Sequence, residues 1–521
     1  MKTADLRHIY LTGFMGAGKS SVGVALAAML KRPCLEMDEQ ISRQFKMPVA
    51  EIFTRHGEEA FRAAESALLG KIAAASVPCI VSTGGGTVMS EENRRLMDKS
   101  GLRVFLDINV PVLRKRMREG EIRRRPLWQN QEQAEKLWQK RYPLYDSAPL
   151  RMDGDRPVEM LAREIAGRLL PWAQAEFEAM GRHCQLQTVW PGGAELAART
   201  VSHHKAVMLL DKALADDAAH WRQHGFKVQI MRRKGETLKT LTQARAILQL
   251  LQEHGLARDD FLVVRGGGSL TDVGGFCAGI YKRGLNLILL ATTLLAGVDA
   301  AIGGKTAVNF TRHKNQIGHF YLPRLVIIDI ASFLSLKPAQ ISDGVIEAYK
   351  TGLIADPELA GFIENNLPVI LKGDIPALAW IAGRSMQAKV SLVAQDFREE
   401  RGVRDLLNFG HTFGHVVESL SAYKVSHGRA VAAGMITAIR LSQRKMALPS
   451  LEAIRILHTI SRICKLPALP PSSLVYDIMA QDKKFRSGLL GFILLAQTGK
   501  ARLVRDLSME EVIAAAYEDI L

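Results

Sequence analysis

At 521 residues the chain is too long for one hydrophobic core and calls for about three domains. With 47% hydrophobic and 23% charged residues it has an ordinary globular composition, which excludes a chain dominated by disorder. A formal charge of +16 asks for negative partners; scattered basic residues without aromatic interleaving argue for phosphorylated small molecules and against nucleic acid.

The five cysteines (Cys34, Cys79, Cys184, Cys277, Cys464) have neither disulfide-framework nor zinc-ribbon spacing, which fits a reducing compartment. Asp5 and Arg7 lie where a signal peptide would need an apolar stretch. The most hydrophobic run, Leu285 to Val298, is too short to span a bilayer. The expectation is a cytoplasmic protein with no membrane contact.

In chain order, Ile9-Tyr10-Leu11 predicts a strand, Gly13 to Ser20 a loop and Val22 to Leu30 a helix. Further strands are expected at Cys79-Ile80-Val81, before three glycines, and at Val104-Phe105-Leu106. This βαβ rhythm implies a parallel sheet in an N-terminal P-loop domain, residues 1–172. The rhythm lapses between Pro171 and Gly193, read as a mixed helical stretch, and a linker is expected over 173–195. Ala206 to Leu210, Phe226 to Ile230 and Phe261 to Val264 then predict strands of a Rossmann-like α/β domain, residues 196–340. Helical periods dominate from about Gly344, with a strand signal only at Leu489 to Leu495, so a mainly α-helical domain is expected over 341–521.

Gly13-Phe-Met-Gly16-Ala-Gly18-Lys19-Ser20 matches GxxxxGK[ST] between a strand and a helix. Backbone N–H groups of such a loop cradle phosphates, Lys19 would reach the β- and γ-phosphates, and the Ser20 hydroxyl would coordinate magnesium. Asp38, after the next apolar segment, can orient and deprotonate a hydroxyl, though alone it could equally cap a helix. Arg62 and Arg141 can each grip a carboxylate, or form surface salt bridges. Gly84-Gly85-Gly86 would let backbone approach a bound ring, and Arg123-Arg124-Arg125-Pro126 reads as a basic lid or as a solvated charge run.

Over residues 5 to 170 these elements resemble shikimate kinase: the phosphate loop, an acidic pair, the GE-x-x-FR-x-x-E block, GGG, an RP-L lid and R-x-PLY occur in order. The resemblance implies ATP with magnesium as phosphoryl donor, Asp38 on the shikimate hydroxyl, and Arg62, Arg141 and Gly84 to Gly86 around its carboxylate and ring. It makes Arg125 the lid arginine beside ATP. Where the family usually has Asp-x-Asp, this chain has Glu36-Met37-Asp38.

In the second half, Arg265-Gly-Gly267-Gly268-Ser-Leu-Thr-Asp272 follows a strand and permits close approach of a pyrophosphate. Asp299, Gly303-Gly304-Lys305 and Lys314-Asn315 add groups suited to phosphate or carboxylate. Glu347, His411, His415 and His427 form a metal constellation, with His411 and His415 four apart on one helix face. Spacing alone does not say which histidines ligate; the missing HExxH glutamate argues against a zinc protease. Glu347 and Lys350 share a helix face, also the spacing of a simple ion pair.

The blocks GGGSLTDVGGF, ATTLLAGVDAAIGGKT, KNQIG, EAYK, LLNFGHTFGH, SHG and DKK are similar to 3-dehydroquinate synthase over about residues 200 to 500. That resemblance implies zinc, or another divalent metal such as cobalt, on Glu347, His411 and His427, with His415 in the substrate site. It places NAD beside Gly235-Glu236, Lys239, Gly267, Gly268, Asp272, Thr292, Thr293, Lys305 and Lys314. The substrate would meet Asp299, Lys305, Asn315, Lys350, Lys389, Arg404, Asn408, Arg283 and Lys483, with Lys484 the alternative to the last. Ala291, Ala300 and Ala301 depart from the family's residues. The two resemblances together imply a bifunctional enzyme of aromatic amino-acid biosynthesis with a homodimeric synthase part. A metal-dependent polyol dehydrogenase of related architecture is the rival for the second half.

Overall fold

The pentad His8–Thr12 (β1) is buried from end to end, as expected of a strand covered on both faces. In the computed structural model, which describes residues 7–116, 130–233, 235–311, 313–422, 424–480 and 489–518, β1 lies at the centre of a parallel sheet. Its partners are β2 (Cys34–Glu36), β3 (Ile80–Ser82), β4 (Gly101–Asp107) and β5 (Leu150–Asp153), in the order β2-β3-β1-β4-β5. The chain leaves β1 toward β2 and β3 on one side and later returns to β4 on the other. Such a switch opens a crevice at the carboxyl ends of the strands. The phosphate loop follows β1, Glu36 ends β2, and Gly84 to Gly86 follow β3, so all three meet at that edge. This unit comprises Ala4–Leu170 with Asp374–Pro376.

The other unit, Pro171–Gly373 with Ala377–Leu521, begins differently from the sequence expectation. Residues 173–195, expected as a linker through a mixed helical stretch, hold two antiparallel strands, β6 (Gln174–Ala179) and β7 (Arg182–Val189). Met180 and Gly181 join them with φ of 54° and 69°, the left-handed pair that a two-residue type I′ hairpin requires. Buried Phe177, Cys184, Leu186 and Thr188 alternate with polar neighbours, a period of two that the short segment carries weakly.

β7 pairs in parallel with β14 (Leu325–Asp329). The sheet continues through β11 (Asn286–Ala291), β10 (Phe261–Gly266), β8 (Ala206–Leu210) and β9 (Lys227–Ile230), while β12 (Lys305–Phe310) and β13 (His313–Phe320) form a separate antiparallel pair. Strands β8, β10 and β14 are wholly buried and form one core with Trp221, Phe226 and Ala197. The apolar run 285–298 divides into β11 and a π-helical turn, Ala296–Ala300. Helices Pro338–Ala355, His411–Leu420 and His427–Met446 belong to the same unit, as do the helix Ile375–Gln395 from Ala377 onward and the hairpin of β15 (Leu490–Gln497) and β16 (Lys500–Leu507). Apart from Asp374–Pro376, the ranges 196–340 and 341–521 thus fall in one compact body. Among the described residues no helix is long and apolar enough to cross a membrane.

A fragment starting at Leu196 would strip β6 and β7 and leave the apolar edge of β14 unpaired, an aggregation template. We expect it to be insoluble on expression, whereas a fragment starting at Pro171 stays in the supernatant; a sedimentation assay distinguishes them.

Candidate active sites

In the first unit, the Lys19 ammonium donates to the carbonyls of Gly13 (2.9 Å) and Phe14 (3.1 Å), folded back on the loop that Gly18 closes as helix cap. Around the carboxyl edge the expected acceptor-site residues converge. A methyl on Gly84 would stand 2.8 Å from Asp38 Oδ1 and 2.6 Å from Glu65 Oε1; one on Gly86 would collide with the Arg62 guanidinium at 2.3 Å. Glycine at 86 is therefore what lets Arg62 lie flat on the backbone. Arg141 Nη1 donates to the Gly85 carbonyl at 3.1 Å, and its Nε is buried without a hydrogen-bond partner. Glu36 Oε1 is likewise buried and unpartnered, and Ser20 is exposed at the loop's end.

The sequence reading assigned no role to Glu65. Its fully buried carboxylate pairs with Arg62 Nη1 at 2.8 Å and accepts from Thr87 Oγ1 at 2.5 Å. Burial opposes the Arg62 charge, but Glu65 and Glu58 outweigh it and hold the guanidinium's pKa above its usual value. The signal was position: Glu65 lies three residues after Arg62 on the same helix. Arg125 lies outside the described residues.

In the second unit, Glu347, His411 and His427 come from three helices, yet their ligand atoms lie within 4.8 Å of one another. Glu347 Oε1 is 3.7 Å from His411 Nε2 and 3.3 Å from His427 Nε2. Glycine explains how the histidine helices come so close. A Cβ at Gly434 would lie 1.8 Å from the Gly410 carbonyl oxygen, and one at Gly414 would lie 2.9 Å from that of Ala430. We expect Gly434→Ala to force the helices apart and cost about 1–3 kcal/mol in stability. Zinc affinity should fall about tenfold or more as the ligands separate, read by competition with a chromophoric chelator.

The donor set fits a divalent cation. Both Glu347 oxygens are buried without a well-directed hydrogen bond. His411 Nδ1 faces the Phe409 carbonyl at 3.2 Å and His427 Nδ1 faces Glu418 Oε2 at 3.7 Å, leaving both Nε2 atoms toward the shared centre. Burial opposes charge on His427, but hydrogen bonding to Glu347 and Glu418 raises its pKa to about 10. Burial works against the Glu418 carboxylate too; His427 and Lys314 nevertheless hold it at about 2. Glu418 was not anticipated, although it follows His415 by three on one helix. The His415 ring lies 5.3 Å from that of His411 and 6.5 Å from that of His427, centre to centre.

Beside this centre runs a chain of opposite charges. Lys350 Nζ is 2.5 Å from Glu347 Oε2 and 3.9 Å from Asp299 Oδ1; Lys389 Nζ meets Asp299 Oδ1 at 2.5 Å. Burial alone would depress both ammonium groups: Glu347 and Asp299 lift Lys350 above its ordinary value, while Lys389 stays below. Arg404, buried beside the neighbouring Phe320 and Phe397 rings, donates to the Phe397 carbonyl at 2.6 Å, with half-buried Asn408 ending the same turn. Lys305 pairs with Glu399. Lys239 pairs with Asp272 at 2.5 Å and also donates to Asn315, while Lys314 reaches Glu418 at 2.8 Å and Glu236 at 3.8 Å. Gly267, Gly268, Thr292 and Thr293 follow the carboxyl ends of β10 and β11, with Thr293 Oγ1 accepting from Ala296 N–H.

Arg283 is not brought to this group. It precedes the amino end of β11, at the opposite edge of the sheet from Thr292, and is exposed. Lys483 and Lys484 lie outside the described residues.

Residues 15–170 match the shikimate kinase family, 229–343 the 3-dehydroquinate synthase N-terminal family and 344–485 the 3-dehydroquinate synthase C-terminal family. The 3-dehydroquinate synthase of Desulforamulus reducens is 40% identical over 296 residues, covering 56% of this chain and 82% of the relative. That of Methylococcus capsulatus is 39% identical over 329 residues, covering 62% and 89%. A solved 2-epi-5-epi-valiolone synthase from Streptomyces hygroscopicus subsp. jinggangensis, with NAD+ and Zn2+ bound, superimposes with a TM-score of 0.59 at 25% identity, over 66% of this chain and 97% of that one. The chain belongs to the 3-dehydroquinate synthase family and carries a shikimate kinase domain ahead of the synthase, a bifunctional enzyme of the shikimate pathway.

Proposed function

We propose that the crevice over β1 phosphorylates shikimate to shikimate 3-phosphate, with Asp38 accepting the hydroxyl proton. Arg62 and Arg141 hold the substrate carboxylate, Glu65 fixes the Arg62 fork, and Lys19 leaves its loop carbonyls for the ATP phosphates. Ser20 and Glu36 would hold magnesium.

The second unit converts 3-deoxy-D-arabino-heptulosonate 7-phosphate to 3-dehydroquinate and phosphate. The observation that carries this reading is Glu347, its buried carboxylate placed between two imidazoles and beside the Lys350–Asp299–Lys389 array. Glu347, His411 and His427 would hold zinc or cobalt, and Gly267, Gly268, Asp272, Thr292, Thr293 and Lys239 would line NAD. When bound, the metal supplies Lewis acidity and NAD a reversible hydride acceptor. Lys350 offsets negative charge developing on a substrate oxygen near Glu347. His415 stands where a proton can be taken up or returned, and Lys305, Arg404 and Asn408 fix the anionic ends. No net oxidation results, because the cofactor is regenerated. Domain limits at residues 172 and 340, a cytoplasmic location and a homodimer through the synthase part complete the reading.

The test is complementation of two bacterial strains, one lacking each activity: growth of both is expected, and growth of one alone removes the other half. Purified protein should release phosphate from the heptulosonate without accumulating NADH. Accumulation would favour the polyol dehydrogenase.

A further inference from the structure

A second cluster of metal-ligating side chains lies away from the catalytic centre. Glu195 is on the helix Gly193–Val201, His220 is on the helix Ala218–Gln223, and His224 caps the latter. One ligand atom from each lies within 4.8 Å of the others. His220 and His224 are four apart, so their rings share a face, with centroids 4.6 Å apart. The His224 Nδ1–H donates to the His220 carbonyl at 3.0 Å, which fixes the tautomer and presents the Nε2 lone pair to Glu195 Oε1, 3.9 Å away. Donors around a tetrahedral zinc stand roughly 3.3 Å apart, and the exposed Glu195 and His220 can rotate to close that gap.

We propose that Glu195, His220 and His224 form a second, surface site for a nitrogen-preferring divalent cation, with zinc, cobalt or nickel as fitting ions. Three protein donors leave at least one position for water. The ion would tie together the two helices that flank β8 in sequence, acting as a removable cross-link on the sheet, far from any role in substrate chemistry.

The experiment counts zinc on the full-length untagged protein, stripped with a chelator and equilibrated with Zn2+ alone by dialysis at pH 7.5. Two ions per chain are expected, in a tighter and a weaker class. His220→Asn and His224→Asn should each abolish the weaker class and leave dehydroquinate formation unchanged. Because these side chains lie at the surface, unaltered melting temperature in chelator certifies folding, and added zinc should raise that temperature less in the variants than in the wild type. One ion in the wild type, or two in both variants, overturns the proposal. Loss of the tighter class alone in these variants would equally support the surface site and would assign the weaker class to Glu347, His411 and His427.

Discussion

Replacing Glu347 with glutamine should cut dehydroquinate formation by about three orders of magnitude or more, some 4 kcal/mol of transition-state stabilisation, while shikimate phosphorylation keeps its rate. Two losses combine. Glutamine is uncharged and a weak ligand for a divalent cation, so the metal centre keeps only its two imidazoles. Lys350, 1% exposed, also loses the carboxylate 2.5 Å away. Breaking a buried pair by removing one partner costs about 3–5 kcal/mol, so the melting temperature should fall as well. The additional double variant Glu347→Gln/Lys350→Met separates the effects: it should recover much of the stability and none of the activity. Metal analysis with phosphate-release and ADP-release assays reads all quantities, and an E347Q protein that still forms dehydroquinate would refute the assigned centre.

Asp38→Asn should give the mirror result: kinase turnover falls about 10²- to 10⁴-fold with synthase turnover unchanged. The substitution is nearly isosteric, and Asp38 is exposed, so folding should not suffer. It removes the group that accepts the hydroxyl proton, while Lys19 and its loop remain to hold ATP. The Michaelis constant for ATP should therefore stay near wild type. A proportional rise in that constant, with turnover preserved, would assign Asp38 to nucleotide binding and refute its place beside the acceptor.

What was legible in the sequence depended on whether the signal was local. The strand–GFMGAGKS–helix unit and the β8, β10 core strands announce themselves, because a buried parallel strand is a continuous apolar run. Glu347, His411 and His427 were identified by motif, though only the fold brings their ligand atoms within 4.8 Å. β6 and β7 escaped because the inward set of β7, Cys184, Leu186 and Thr188, is short and ends on a polar residue, so the alternation is brief. Glu65, Glu399 and Glu418 escaped for another reason: each works through a partner, and while helix spacing hints at Arg62 for Glu65, nothing local points Glu399 to Lys305 or Glu418 to Lys314. Arg283 lay close in sequence to the site residues of β10 and β11, but a parallel strand carries its two ends to opposite edges of the sheet.

The pairing of Lys305 with Glu399 has a bearing on ligand entry. An anion arriving at Lys305 meets a site already taken by the protein's own carboxylate and must evict it, so stray sulfate or chloride competes against a tethered rival. The loop around Glu399 is pinned separately, since Asp396 accepts the N–H groups of Glu400, Arg401 and Arg404. Glu399 can therefore swing out while the backbone keeps its course, so that freeing Lys305 takes the rotation of one side chain and no movement of the loop.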